Sequence, residues 1–340
     1  MQPLSPDHNF ANAEAFIRAA AQQGAHLAVL PEYGLTSWAP HSSAFPSVCR
    51  LAATRHLARF QALARELAIA LVPGTFVEEE PAPATAACPS PSPSEPPSRE
   101  PSPAAGTAAE RTRQPGEAEG PGTAGDAETV VRQNVCYFIA SSGEIAARYS
   151  KLNLWHPERG YLTPSFSRAH EPFETELGLR VGLLICWDLA FPEALRELVR
   201  KGAQMVIVPA WWLASDAGAG GGQINPCSES VFLDSLVVCR AFENTCAVVF
   251  VNAGGPPPPY RSNFEDAAEG GNAKTGGELE YTGLSQVGMP LLGSLGRIAS
   301  SDEGMSIVEI DTDVLDVAEA AYKVREDLGK EGWHYGSSSG

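Results

Sequence analysis

The chain reads as an α/β protein, and three observations say so. Helix-period and strand-period patterns alternate from the N-terminal side onward: helix, strand, helix, strand. Several strand candidates, such as Val181–Ile185 and Cys246–Asn252, are short continuous apolar runs, the composition of strands covered on both faces. Polar side chains of complementary chemistry stand at or just beyond the ends of such runs, where open α/β sheets collect their functional groups.

In chain order, Phe10 to Gln23 sets Phe10, Ala13, Ile17 and Ala20/Ala21 at helical spacing, and Gly24 suits the end of that helix. His26–Pro31 (HLAVLP) is a short buried strand with Glu32 directly at its end; the carboxylate is either a functional group or a solvated loop residue. Ala52–Ala68 is a second helix with Leu57, Phe60, Leu63, Ala64 and Leu67 on one face, and Ile69–Val77 (IALVPGTFV) another strand. From Glu78 to about Thr129 the chain turns rich in Pro, Ser, Ala, Gly and Glu, which cannot bury enough apolar surface to offset its ordering entropy. Pro81–Asp126 is therefore expected to be a disordered insertion within one domain spanning 1–340, because strand patterns resume at once; a docking or phosphorylation tract is its alternative use.

Val130–Ala140 and Ile145–Tyr149, joined through Ser141–Glu144, read as a β-hairpin, with Lys151 just past it, where a lysine is ordinarily a solvated strand end. The aromatic loop that follows (LNLWHPERGYLTPS) suits a cleft wall. Val181–Ile185 runs into Cys186, and Phe191-Pro192-Glu193 opens a helix, since proline suits the first turn and a carboxylate the positive end of the dipole. Cys186 is thus at a strand-to-helix corner, aimed into a cleft, or is a small apolar residue closing a core strand. Ala203–Pro209 is the next buried strand and leads to Trp211-Trp212. Ser215–Ser228 reads as a mobile Gly-rich loop, Val231–Glu243 as a helix, and Cys246–Asn252 as a strand. A second loop insertion spans about 254–280; Gly293–Ala299 and Met305–Ile310 read as a closing hairpin, and Asp313–Glu326 as a short helix.

With 340 residues and a formal net charge of −17, the chain lacks the positive balance that a nucleic acid or an anionic membrane surface demands. Seven scattered cysteines without a CxxC pair argue against a disulfide framework or zinc ribbon and for a reducing compartment, the cytosol. No apolar run approaches the roughly 20 residues that span a bilayer, and MQPLSPDHNF shows no secretory h-region.

Glu32, Lys151 and Cys186 form a complementary set. A thiolate is a strong nucleophile but a free thiol is mostly protonated at neutral pH. A carboxylate can take that proton and return it to a leaving amine. A lysine ammonium, with a backbone N–H, can hold the developing oxyanion. The set suits attack on the carbon–nitrogen bond of an amide or nitrile.

Leu30-Pro31-Glu32-Tyr33, Tyr149-Ser150-Lys151-Leu152 and Leu184-Ile185-Cys186-Trp187-Asp188 with Phe191-Pro192-Glu193 resemble, in this order, the motifs of carbon–nitrogen hydrolases of the nitrilase superfamily, over about Phe10 to Ala320 without the two inserts. The resemblance implies a four-layer α-β-β-α sandwich, assembly as a homodimer or larger, and no metal or organic cofactor. It implies Glu32 as general base, Lys151 as oxyanion stabiliser, Cys186 as nucleophile, and Glu158, seven residues past the lysine (158 − 151 = 7), as a positioning carboxylate. Arg240-Ala241-Phe242-Glu243-Asn244 resembles a further family stretch whose Arg and Glu are structural. Only Met1–Leu4 stands where the family's first strand precedes the first helix, so either a shortened edge or an incomplete chain start is expected. Cys186-Trp187-Asp188, in place of Cys-Trp-Glu, leans toward the amidase and carbamoylase branches over nitriles. The expected substrate is a small amide, carbamoyl compound or nitrile. Tyr33, Trp155, His156, Trp187, Trp211 and Trp212 are candidates for the pocket and oxyanion surround, each with core packing as the alternative, and Arg159 for a substrate carboxylate, with a salt bridge as its alternative. Acyl transfer to an amine, or a non-catalytic scaffold using the Pro-rich insert, are the rival readings.

Overall fold

A computed structural model of the protein describes residues 1–81, 130–167, 169–255 and 280–333. Nearly all of the expected insertion at 81–126, and most of the one at 254–280, lie outside them. Met1–Glu79 with Arg132–Gly340 form one compact unit and Glu80–Val131 a second. The layers and the site belong to the first.

The elements run α1 (Pro6–Gln22), β1 (Leu27–Val29), α2 (Phe45–Leu51), a π-helical turn (Ala52–His56), α3 (Leu57–Leu67), β2 (Ala70–Val72), β3 (Thr75–Pro81), β4 (Val130–Ile139) and β5 (Ile145–Ser150). Then come β6 (Phe173–Glu174), β7 (Arg180–Leu183), α4 (Pro192–Arg200), β8 (Met205–Ala210), α5 (Gly218–Ile224), α6 (Ser228–Asn244), β9 (Ala247–Asn252), β10 (Gln286–Met289), β11 (Gly293–Leu295), α7 (Asp313–Tyr322) and α8 (Val324–Leu328). One sheet has the order β1-β2-β4-β3, with β5 also paired to β4; the other runs β11-β10-β9-β8-β7-β6. Strands β7, β8 and β9 are parallel, as their continuous apolar composition requires.

Alternation along the strands builds the layers. In the first sheet Leu71, Val135, Tyr137 and Ile139 pack with Phe10, Ile17, Phe60 and Leu63 of the helices outside it. Ala70, Val72, Cys136 and Phe138, one residue out of step, share a core with Leu183, Ile207 and Val249 of the second sheet. On the far face of the second sheet, glycines let helices approach the strands directly. A Cβ at Gly182 would lie 2.7 Å from Leu198 of α4, and one at Gly288 would lie 2.7 Å from the Val237 carbonyl of α6. The result is the expected α-β-β-α sandwich.

Several boundaries differ from the sequence expectation. Helix α1 starts four residues early, with proline in its first turn. The strand expected over Ile69–Val77 is two strands, broken at Pro73-Gly74. Gly74 has φ +76°, and a Cβ there would meet the Pro31 carbonyl oxygen at 2.1 Å. The Gly-rich 215–228 stretch holds α5, which buries no side chain and so carries no apolar period to announce it. The closing hairpin pairs β11 with β10 instead of with Met305–Ile310, which forms no strand. The glycine that admits α6 interrupts the apolar pattern of β10. The last helix is broken at Lys323, which has φ +56°.

Candidate active site

Glu32 follows β1, Lys151 follows β5, and Cys186 follows β7, so both sheets contribute to one place. Lys151 is 1% exposed, and its Nζ donates to Glu32 Oε1 at 2.8 Å and to Glu158 Oε1 at 3.0 Å. Glu32 Oε1 also accepts from Asn134 Nδ2 at 2.7 Å, and its Oε2 from the Trp211 backbone N–H at 2.8 Å. Glu158 lies in a short 3-10 turn, His156–Gly160, where its Oε2 takes the Trp155 N–H at 2.8 Å and its Oε1 takes the Tyr33 hydroxyl. The Cys186 Sγ lies 3.9 Å from the Trp211 carbonyl oxygen.

Cys186 has φ +45°, the left-handed region that side chains with a Cβ avoid, so surrounding contacts must hold the corner. Asp188 does this. Fully buried, it accepts the Ile185 N–H at 3.0 Å on one side of the corner. On the other it accepts the Asn153 N–H at 2.8 Å, Asn153 Nδ2 at 2.9 Å and the Tyr149 hydroxyl at 2.8 Å. Tyr149 and Asn153 flank Lys151 by two residues each, so one carboxylate ties the lysine loop to the cysteine corner. Arg240 of α6 adds Nε to the Leu189 carbonyl at 3.3 Å and Nη1 to Glu243 at 2.8 Å, holding the turn after the cysteine.

Burial, reinforced by Glu158, outweighs the pull of Lys151 and of a hydrogen bond from the Cys186 thiol, and pushes the Glu32 carboxyl up to about 7. Burial opposes the charge on Lys151, but Glu32 and Glu158 together hold it well above the usual lysine range. Burial, then the negative charge of Glu32, pushes the Cys186 thiol well above its ordinary value in spite of Lys151. At rest the thiol is protonated beside a carboxyl poised near neutrality.

These groups open on a cavity of about 120 Å³. Tyr33, Trp38, Trp155, Trp187, Trp211 and Trp212 wall it, with Asp216 among the remaining lining. The aromatic candidates thus reach the cavity, except His156, which is exposed with its ring 4.1 Å from that of Trp155. Arg159, considered for a substrate carboxylate, is not brought here. It is exposed, donates Nε to the Leu154 carbonyl at 3.4 Å, and lines a separate cavity beside Phe191. Asn134, Trp38 and Asp216 went unread in the sequence. Only Asn134 left a signal: an amide within an apolar strand needs partners when buried. Among the described residues no cluster of three or more His, Cys, Asp or Glu side chains is arranged for a metal ion, and no helix is long and apolar enough to cross a membrane.

The sandwich and this site define a carbon–nitrogen hydrolase of the nitrilase superfamily. The profile of the carbon-nitrogen hydrolase family matches residues 1–88 and 114–319, and the chain belongs to that family. Among curated proteins, an (R)-stereoselective amidase of Pseudomonas sp is 31% identical over 185 residues, 54% of each chain. A 2-oxoglutaramate amidase of Bacillus subtilis is 30% identical over 125 residues, covering 37% of this chain and 43% of that protein. The chain thus spans about half the length of the curated relatives it matches. Among solved structures, a carbon-nitrogen hydrolase of Helicobacter pylori G27 has a TM-score of 0.68 at 19% identity, covering 95% of this chain and 90% of that one. An amidase of Nesterenkonia sp. AN1 has a TM-score of 0.57 at 22% identity over 94% of this chain and 93% of that one. At these identities the structures speak for the fold.

Proposed function

We propose that the protein hydrolyses a small amide through a thioester on Cys186, giving an acid and ammonia or an amine. The observation that carries this reading is the meeting of Glu32, Lys151, Glu158 and Cys186 at one cavity, with Lys151 Nζ 2.8 Å from Glu32. As the Cys186 sulfur bonds to the carbonyl carbon, its proton passes to Glu32, whose carboxyl near 7 is matched to that exchange. The carbonyl oxygen takes the negative charge beside the Lys151 ammonium and the Trp187 backbone N–H. On collapse the carbon–nitrogen bond breaks and Glu32 gives its proton to the leaving nitrogen. Water then attacks the thioester, loses a proton to Glu32, and the carbon–sulfur bond breaks as the sulfur recovers that proton. Glu158 keeps Lys151 in place. Cavities of about 150 Å³ accept a benzene-sized molecule, so about 120 Å³ fits a short acyl group.

The test is ammonia release from a panel of short amides, N-carbamoyl compounds and nitriles by wild type and Cys186→Ala, with mass spectrometry for an acyl adduct. Loss of at least about ten-thousand-fold in the variant, with an adduct on Cys186, is expected; full activity in the variant sinks the reading. Added amine acceptors tell hydrolysis from acyl transfer. Free, undisulfided thiols among the described residues support a reducing, cytosolic setting. The family resemblance supports assembly as a homodimer or larger.

A further inference from the structure

The cavity is unbalanced in charge. Glu32, Glu158 and Asp216 face it with carboxylates against a single ammonium, Lys151, which is already engaged by the first two. No arginine or histidine is among the described residues that line it. Asp216 takes no part in the chemistry proposed above. Its Oδ2 accepts the Leu213 N–H at 2.9 Å, closing a turn beyond β8; no other hydrogen-bond donor among the described residues reaches it, and Lys151 acts on it only through space, without an ion pair. Burial raises its carboxyl to about 6, so it is charged at neutral pH. The walls it shares are indole and phenol side chains, whose ring faces attract cations.

A substrate ending in a carboxylate would have to place that group in a narrow, mostly apolar space beside like charges, with no free cation to receive it. One ending in an ammonium would find a carboxylate that no cation pairs, among aromatic side chains. We propose that Asp216 is the specificity-determining residue of this cavity: it selects a short amide whose far end is an ammonium or another N–H donor and turns away one that ends in a carboxylate. This rests on the amide-hydrolysis reading, and it narrows it, because N-carbamoyl amino acids carry the rejected group.

The experiment compares three amides with the same spacer: β-alaninamide, butanamide and succinamate, ending in an ammonium, a methyl and a carboxylate, together with their one-carbon-longer homologues. Wild type is expected to rank them in that order by kcat/KM. Asp216→Asn keeps an oxygen for the Leu213 N–H and removes the charge. It is expected to collapse the ammonium-to-methyl ratio by roughly tenfold, mainly through KM. Binding of the same amides to Cys186→Ala reads the ranking without turnover. A preference for succinamate, or a ratio that Asp216→Asn leaves unchanged while all rates fall together, overturns the proposal and leaves Asp216 a turn residue. Release that survives in Cys186→Ala strikes the hydrolysis reading itself, which a wrong ranking alone does not.

Discussion

The Pro31–Tyr33 corner of the first sheet and the Ile185–Asp188 corner of the second share an outline. Each follows the C-terminal end of a strand, and each holds a residue in the left-handed region, Tyr33 at φ +52° and Cys186 at φ +45°. Each carries a carboxylate that is essentially inaccessible, Glu32 at 1% and Asp188 at 0% exposure, and burial raises both. Their partners differ. Glu32 meets an ammonium, a side-chain amide and one backbone N–H, and it opens on the cavity. Asp188 is saturated by uncharged donors and does not line the cavity. On the proposed reaction, the carboxylate of the first corner is the reagent and its left-handed residue is support; in the second corner the roles are exchanged. Equal burial therefore says nothing of role, and the partner set and access to the cavity decide it.

Substitutions can break this division, and the deepest cut is Glu32→Gln. It is expected to lower kcat/KM by about a hundred- to ten-thousand-fold, because an amide accepts no proton from the thiol. In the wild type, kcat/KM should fall as pH drops through about 7, where Glu32 takes up a proton. The stability contribution has the opposite sense. The folded value lies above the ordinary 4.5, so the Glu32 contribution is complete below 4.5 and is lost as pH rises through about 7. Thermal unfolding of wild type and Glu32→Gln across that window checks the sign.

Asp188→Asn should show the reverse balance. An amide NH₂ would face groups that themselves donate, so unfolding free energy is expected to drop by about 1–3 kcal/mol in denaturant titration, with a smaller loss of kcat. If activity collapsed as deeply as in Glu32→Gln while stability held, Asp188 would have to be counted a reagent. The smallest effect on activity is expected from Gly74→Ala, which presses on the first corner alone. Its Cβ would lie 2.1 Å from the Pro31 carbonyl at φ +76°, costing about 1–3 kcal/mol. A lowered melting temperature with an unchanged kcat/KM would show that the corners are built independently.

The layered α/β plan was legible because the strands are buried on both faces and say so in their composition, as in Val206–Val208 and Val248–Phe250. Glu32, Lys151 and Cys186 were legible as residues at strand ends. That they meet is a matter of how β1, β5 and β7 are arranged across two sheets, which no local pattern encodes. Helix α5 has no buried face to betray it, and Arg159 is carried away from the cavity by the turn that points Glu158 toward Lys151. Asp216 is one carboxylate in a stretch of alanine and glycine, ordinary until the cavity gives it neighbours.

The buried Lys151 is commonly the kind of group that would turn a neighbouring thiol into a thiolate, yet here two carboxylates absorb its charge. Burial and these carboxylates therefore keep the Cys186 thiol protonated and chemically quiet. Oxidants and alkylating agents in the surrounding solution meet Cys227 and Cys239, which are exposed, before they meet a reactive Cys186. In the proposed reaction, reactivity is conferred only when a carbonyl carbon arrives to receive the sulfur as the proton leaves, so the arrangement that serves that reaction also protects the site while it waits.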